Sequence, residues 1–160
     1  MLSLPPLIEE DIQCMESALD ELLQKSESMC ALLIDKGGPL ICQRGVLEGF
    51  DPTTMAALAA GSFAANEAIA GLVGESNFAS VYQQGEHHSL LVGNVGGNLL
   101  LIVIFKATMS VGAVKYFAAS TVQKVACQLE KARARTPDAS LDLVSLDLAN
   151  TAEFFKKKAQ

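Results

Sequence analysis

The feature that most limits how this chain can fold is a stretch of alanine, glycine and large apolar residues at positions 55–73. Asp51-Pro52 comes just before it. Aspartate followed by proline is typical of a helix start, because the carboxylate accepts hydrogen bonds from the first free amides and proline fits the first turn. The sequence therefore predicts a helix over residues 52–73 that is apolar nearly all the way round, which is unusual for a helix lying on one sheet.

Large side chains form one stripe along this predicted helix. At about 100° per residue, the stripe contains Met55, Leu58, Ile69, Leu72 and Val73. We expect this stripe to face the sheet.

Small residues form a second stripe, roughly a quarter turn from the first. It consists of Ala57, Ala60, Gly61, Ala64, Ala68 and Gly71. Small side chains at helical spacing let another backbone approach closely, so this face is predicted to pack against a second copy of the helix or a partner protein. The high helix propensity of alanine is the alternative explanation, but it does not account for two glycines on one stripe.

The rest of the chain alternates between helical and strand patterns, and residues 98–105 are so continuously apolar that they predict a central strand. The order predicts an α+β fold, a five-stranded antiparallel sheet with helices on both faces and the second hairpin beside the first. One domain is expected over residues 7–136, and 137–160 are expected to be a weakly ordered or docked tail with a possible short helix at 151–158. The other predicted elements are helices at 7–25 and 111–135 and strands at 29–34, 40–44, 78–83 and 87–93.

Composition excludes several classes of function. The net charge of -6 and the pI near 4.8 argue against a nucleic-acid partner, because binding to phosphates needs an excess of lysine and arginine. The apolar stretch at 55–73 carries Asn66 and Glu67 in its middle, so we expect no membrane insertion. The four cysteines, none in a Cys-x-x-Cys pair, are expected to be buried thiols of a cytoplasmic protein: Cys14, Cys30, Cys42 and Cys127.

No group of residues predicts catalysis, a metal site or a cofactor. His87 and His88 are adjacent on a predicted strand, so they point to opposite faces and do not chelate one metal. The glycines at 93–97 lack the Gly-Lys-Ser/Thr ending of a phosphate loop and predict a turn. We therefore do not expect the chain to be an enzyme.

Three segments resemble the Roadblock/dynein light-chain family, and within it the bacterial MglB group. They are Ala31-Leu-Leu-Ile-Asp-Lys-Gly-Gly, the helix Ala59-Ala-Gly-Ser-Phe-Ala-Ala-Asn-Glu-Ala-Ile-Ala-Gly-Leu-Val-Gly-Glu75, and residues 98–105 before the last helix. The resemblance covers about residues 7–135 and implies a Roadblock/profilin-like sandwich. It also implies a homodimer in which the second helices lie together and the strands of both subunits continue one sheet.

The same resemblance implies a partner, a small Ras-like GTPase of the MglA kind, whose GTP hydrolysis the dimer accelerates. Carried over by position, the surface that faces the GTPase includes Ala60, Ala64, Glu67 and Ala68. The alternative is a non-catalytic dimeric scaffold that tethers GTPases or motor-type partners without changing turnover. A ligand-sensing domain of similar shape is less favoured, because the predicted core lacks polar residues to line a cavity.

Stimulation of a GTPase has two physical routes. An inserted arginine neutralises charge in the transition state, whereas a docked regulator can hold the switch loops of the GTPase in the competent arrangement. Arg44 lies on a predicted strand, and Arg133 and Arg135 lie at a predicted helix end, so none is on an obvious finger loop. Repositioning of the switch loops is the mechanism that the resemblance favours.

Overall fold

A computed structural model describes residues 4–135 of the chain. Three helices and five strands alternate in the order that the sequence predicts. The elements are α1 (Glu9–Ser26), β1 (Cys30–Asp35), β2 (Leu40–Gly45), α2 (Pro52–Leu72), β3 (Ser80–Gln83), β4 (His88–Gly96), β5 (Leu99–Lys106) and α3 (Val111–Arg135). The tail at 137–160, with its possible short helix at 151–158, lies outside the described residues.

The strands form one antiparallel sheet in the order β2-β1-β5-β4-β3. The predicted arrangement, with the second hairpin beside the first, is therefore confirmed. β5 lies in the middle, and all its residues from Leu99 to Phe105 are buried because both of its faces are covered. β2 and β3 are the edge strands, and β3 has only four residues.

α1 and α3 pack side by side on one face of the sheet. Their buried side chains, which include Met15, Leu19, Val125 and Leu129, contact the strand residues that point to this face, such as Phe105. Polar contacts also join the two helices directly, because Glu21 binds Lys124 and the buried carboxylate of Asp11 binds Gln128 and Arg135. The two helices run antiparallel, since residues early in α1 meet residues late in α3.

α2 lies alone on the other face. Its buried residues contact Leu32, Leu100 and Ile102 of the central strands. The sandwich therefore has two helices on one side of the sheet and a single helix of small residues on the other side. The expected α+β fold with helices on both faces is confirmed.

The prediction that all four cysteines are buried is wrong for two of them. Cys30 and Cys42 are buried in the two cores, and burial raises the pKa of the Cys42 thiol to about 12. Cys14 and Cys127 are exposed, because each lies on the flank of its helix beside the cleft between α1 and α3. Periodicity placed these two residues on helices but did not show which side of the helix would be covered.

Candidate functional site

The candidate site is the outer surface of α2, and the helix ends are well defined. Asp51 accepts hydrogen bonds from the backbone amides of Thr53 at 3.3 Å and Thr54 at 3.1 Å, and Pro52 occupies the first turn, as the sequence predicts. After the last turn, Gly74 has a φ of 82°, and the amide of Glu75 bonds the carbonyl of Ala70 at 2.9 Å. These ends agree with the bounds Pro52–Leu72 of the helix.

Phe63 attaches the inner side of α2 to the sheet. The Phe63 side chain is 1% exposed, and its ring centroid lies 5.0 Å from that of Phe78. The other buried residues of this side are all alanines, namely Ala56, Ala59, Ala60 and Ala70. α2 therefore contacts the sheet through one large ring and several methyl groups.

The stripe of large side chains does not face the sheet, so that expectation is wrong. Leu58 is 68% exposed and Leu72 is 87% exposed, and Ile69 and Val73 also point to solvent. Only Met55 of this stripe is partly buried. The all-round apolar pattern of the helix has no polar side to orient it, and Phe63 with small neighbours fits closer to the sheet than the large stripe would.

The stripe of small residues lies mostly on the outer surface. Ala57, Gly61, Ala64, Ala68 and Gly71 are exposed. Ala60 is 5% exposed and points to the sheet, so it does not belong to this exposed surface as expected. We use the name α2 surface for the exposed small residues together with the exposed large ones, which are Leu58, Ile69, Leu72 and Val73.

Nothing within the described chain explains the two glycines of the α2 surface. A Cβ atom added at Gly61 or at Gly71 would meet no atom within 4 Å. Glycine inside a helix costs about 0.5–1 kcal/mol relative to alanine, because it loses more backbone entropy on folding. The chain thus contains two unfavourable residues on a face where alanine would fit.

Glu67 lies at the border of this surface and is held by a lysine from the turn between β1 and β2. The Nζ atom of Lys36 lies 3.0 Å from Oε1 of Glu67 and 5.4 Å from the centre of the Phe63 ring. The same turn reaches Ala57, since a Cβ atom at Gly38 would lie 3.5 Å from the Cα atom of Ala57. The small residues of α2 therefore border the β1–β2 turn.

The large residues of α2 border the opposite side, next to the β3 edge. Met55 and Leu58 line a groove together with Val81 of β3 and Leu90 of β4. The groove holds about 250 Å³. This is smaller than the roughly 300–1,000 Å³ of typical small-molecule pockets. This groove is therefore better suited to side chains of another protein than to a small molecule.

All three arginines of the sequence point away from the α2 surface. Arg44 pairs with Glu16 at 2.8 Å and with Asp20 at 3.3 Å, both on α1. Arg133 pairs with Glu130 at 2.7 Å, and Arg135 binds Asp11. Each of these guanidinium groups is held on the face of the sheet that carries α1 and α3.

Metal binding has no candidate site in residues 4–135. No cluster of three or more His, Cys, Asp or Glu side chains suitable for a metal occurs among them. His87 and His88 are exposed at the start of β4. The α2 surface itself carries only apolar and small residues beside one carboxylate.

α2 is also the one helix in residues 4–135 that is long and apolar enough to cross a bilayer by length and composition alone. Its position against the sheet, with Phe63 buried and Glu67 paired to Lys36, accounts for one side of that apolar composition. No membrane protein is indicated by this helix. Its other side is the α2 surface.

Comparisons with known proteins agree on one family. The model of the Roadblock/LC7 domain matches residues 15–105. Myxococcus xanthus MglB is similar with 29% identity and a TM-score of 0.74, over 79% of this chain and 96% of that one. The gliding protein MglB of Thermus thermophilus is similar with 30% identity and a TM-score of 0.72, over 82% and 99%.

A profilin of Acanthamoeba castellanii shares the fold alone, with 13% identity and a TM-score of 0.52 over 71% of this chain and 98% of that one. No curated protein sequence matches the chain. The similarity to the MglB structures, at about 30% identity, therefore bears on more than architecture.

Proposed function

The chain belongs to the Roadblock/LC7 domain family, and from this we propose that it forms a homodimer through α2 and regulates a small Ras-like GTPase. As a non-enzymatic, MglB-like regulator, the dimer would bind an MglA-like GTPase at its switch regions and accelerate GTP hydrolysis. The proposal includes the cytoplasmic location expected of a protein with four free cysteines.

One observation carries this proposal, namely the contiguous apolar surface on the outside of α2. Exposed apolar patches of this kind are typical of protein–protein contacts, because a well-folded monomer otherwise covers its large apolar side chains. Leu58 and Leu72 are largely exposed, whereas the inner side of the same helix is buried. Gly61 and Gly71 add room for a close approach that the chain itself does not use.

The two borders of the α2 surface suggest different partners. The large residues continue into the groove beside β3, an edge strand with unpaired backbone groups. We assign this side, with Leu58, Ile69 and Leu72, to the second copy of the chain, so that the two β3 edges also meet. We assign the small residues near Lys36, with Ala64, Glu67 and Ala68, to the GTPase.

The proposed mechanism is repositioning of the switch loops rather than insertion of an arginine. All three arginines are engaged in ion pairs away from the α2 surface. A regulator without an inserted cation can accelerate hydrolysis only through higher affinity for the competent arrangement of the GTPase. A flat apolar surface with small residues suits such binding, because it lets a partner loop lie close to the helix backbone.

The decisive experiment combines light scattering with GTP turnover by the cognate Ras-like GTPase. We expect the protein to be a dimer, to bind the GTPase and to raise its turnover. Leu58→Asp should give monomers. In a dimer the aspartate would be buried at the contact without a positive charge to pair with, which is unfavourable. Ala64→Arg should preserve the dimer and abolish GTPase binding, because an arginine side chain does not fit a close approach of two backbones.

Ala113→Arg is the matched control, since Ala113 is an exposed alanine of α3 on the opposite face. This variant should behave as the unmodified protein in both measurements. Binding without faster turnover would select the scaffold. A monomer that neither dimerises nor binds would contradict the proposal, and so would an Ala64→Arg variant with unchanged assembly and binding.

A further inference from the structure

A long groove runs between α1 and α3, on the side of the sheet opposite to the α2 surface. At one end it is lined by Cys14 of α1 and by Cys127 and Lys131 of α3. At the other end it is lined by Lys25 and by Tyr116, whose side chain is 77% exposed. Glu21 lines both parts, so the groove is continuous.

The floor of this groove is apolar and its borders are basic. Met15, Ala18 and Val125 form much of the floor. Lys25 and Lys124 both bind Glu21, and hydrogen bonds from Lys124 and then Lys25 lower the pKa of Glu21 to about 2. Lys131 forms no ion pair within residues 4–135. A segment that fits the groove should therefore combine apolar side chains with carboxylates.

The chain itself supplies a segment of that composition directly after α3. Residues 138–148 read Asp-Ala-Ser-Leu-Asp-Leu-Val-Ser-Leu-Asp-Leu, with four leucines, three aspartates and no lysine or arginine. α3 ends at Arg135, which is bound to Asp11 at the Cys14 end of the groove. Pro137 follows, and proline disfavours continuation of a helix, so the chain can change direction there.

We propose that residues 138–148 fold back into the groove between α1 and α3 of the same chain, with leucines over the apolar floor and aspartates beside Lys131 and the lysines that bind Glu21. The length suffices. The groove follows α3 from Lys131 to Tyr116, which is about 22 Å at 1.5 Å per helical residue. Eleven residues can span up to about 36 Å when extended.

The labelling rates of the two exposed cysteines measure how often the groove is open. Cys14 and Cys127 line the entrance of the groove and react with a maleimide only while the groove is open. Labelling of a transiently open site follows the open population, so a segment docked nine-tenths of the time slows labelling about tenfold. Buried Cys30 and Cys42 serve as internal controls, because they report unfolding instead of groove opening.

The experiment compares N-ethylmaleimide labelling of the full chain with that of the combined variant Leu141→Ser, Leu143→Ser, Leu146→Ser and Leu148→Ser, read by peptide mass spectrometry. We expect both exposed cysteines to react about tenfold faster in the variant, while Cys30 and Cys42 stay unreactive in both proteins. Equal rates at Cys14 and Cys127 would overturn the proposal. A second variant, Lys131→Glu, should raise the two rates in the same direction.

A matched control replaces Phe154 and Phe155 with serine, because these residues follow the proposed segment. It should leave the protection of both cysteines unchanged. Release of the cysteines by this control alone would show that another part of the tail fills the groove. Protection that disappears on dilution would place a second copy there, and either result would overturn the assignment to residues 138–148 of the same chain.

Discussion

The two faces of the sheet are held by different interactions. On one face, α1 and α3 are joined to each other and to the sheet by a broad core and by charged pairs that cross between elements, such as Asp11 with Arg135 and Arg44 with Glu16. On the other face, α2 has one ring, a row of methyl groups and the Lys36–Glu67 pair. The first face leaves a groove between its two helices, whereas the second leaves several large apolar side chains of one helix uncovered. This difference is the reason why α2 is proposed as the contact surface.

The largest expected effect concerns the single ring that attaches α2. Phe63→Ala should lower the free energy of unfolding by about 3–5 kcal/mol, because it removes a buried aromatic ring and leaves a cavity. Urea denaturation measures this change. Val46→Ala is the control and should change the free energy of unfolding by less than about 0.5 kcal/mol, since Val46 is 81% exposed and lies outside the α2 surface. Similar losses in both variants would mean that α2 does not depend on Phe63.

The next largest effect is expected for Asp11, whose carboxylate joins α1 to α3 on the other face of the sheet. Asp11→Asn should lower the free energy of unfolding at pH 7 by about 2 kcal/mol, because the carboxylate accepts hydrogen bonds from Ile8, Gln128 and Arg135. Glu67→Gln on α2 is the control. Its partly exposed ion pair with Lys36 should contribute about 0–1 kcal/mol.

The pH dependence of the free energy of unfolding gives a second test of the contribution of Asp11. Burial alone would raise the pKa of Asp11, but the hydrogen bonds from Ile8, Gln128 and Arg135 outweigh it and hold the pKa below its ordinary value of 3.8. The stabilisation is therefore present above about pH 3.8 and is lost as the pH falls further. Asp11→Asn should reduce this loss of stability at low pH without abolishing it, because the pKa of Glu21 is also lowered, to about 2. If Asp11→Asn loses stability at low pH in the same way as the unmodified protein, Asp11 does not cause this pH dependence.

A smaller effect tests whether the glycines of α2 serve another protein. Gly61→Ala should raise the stability of the monomer by about 0.5–1 kcal/mol, because nothing within 4 Å opposes the added methyl group. The same change should weaken GTPase binding or dimerisation, measured by light scattering. Gly97→Ala is the control and should destabilise the protein, since Gly97 has a φ of 57° beside Arg133. If Gly61→Ala stabilises without weakening assembly, the glycine does not serve a contact.

The smallest expected effect is on the stimulated rate of GTP hydrolysis. Arg44→Ala and Arg135→Ala should each retain most of the stimulation, because both guanidinium groups are bound on the face opposite to the α2 surface. An arginine that entered the GTPase site would contribute roughly 10³–10⁵ in rate. A loss of more than about a hundredfold in either variant would therefore favour an arginine finger.

The sequence predicted the fold well because most elements show a clear spacing of apolar residues or a clear end signal. The continuous apolar run of β5 predicted a strand covered on both faces, and Asp51-Pro52 predicted the start of α2 at the residue where the helix begins. The orientation of α2 could not be predicted in this way. A helix without a polar side gives no periodic signal. The assumption that large side chains turn inward fails for α2, where Phe63 and alanines are buried and the large residues are exposed.

The same limit applies to individual residues of the site. Ala60 belongs to the small stripe by spacing but faces the sheet, and Cys14 and Cys127 lie beside a groove that no local pattern reveals. The exposed large residues of α2 were found in the sequence but assigned to the wrong side. Phe63 at the centre of the buried alanines was the available signal, since an isolated aromatic ring among small residues favours the covered side.

The buried alanines of α2 also set how high the helix stands above the sheet. Interaxial separations depend on the side chains at the contact, and methyl groups at Ala56 and Ala59 allow a short separation. Any larger residue at these two positions would lift the helix, and with it every exposed atom relative to the β3 edge. The shape offered to other molecules is thus determined partly by residues that no partner can touch, so substitutions at buried positions can alter recognition while the outer side chains remain the same.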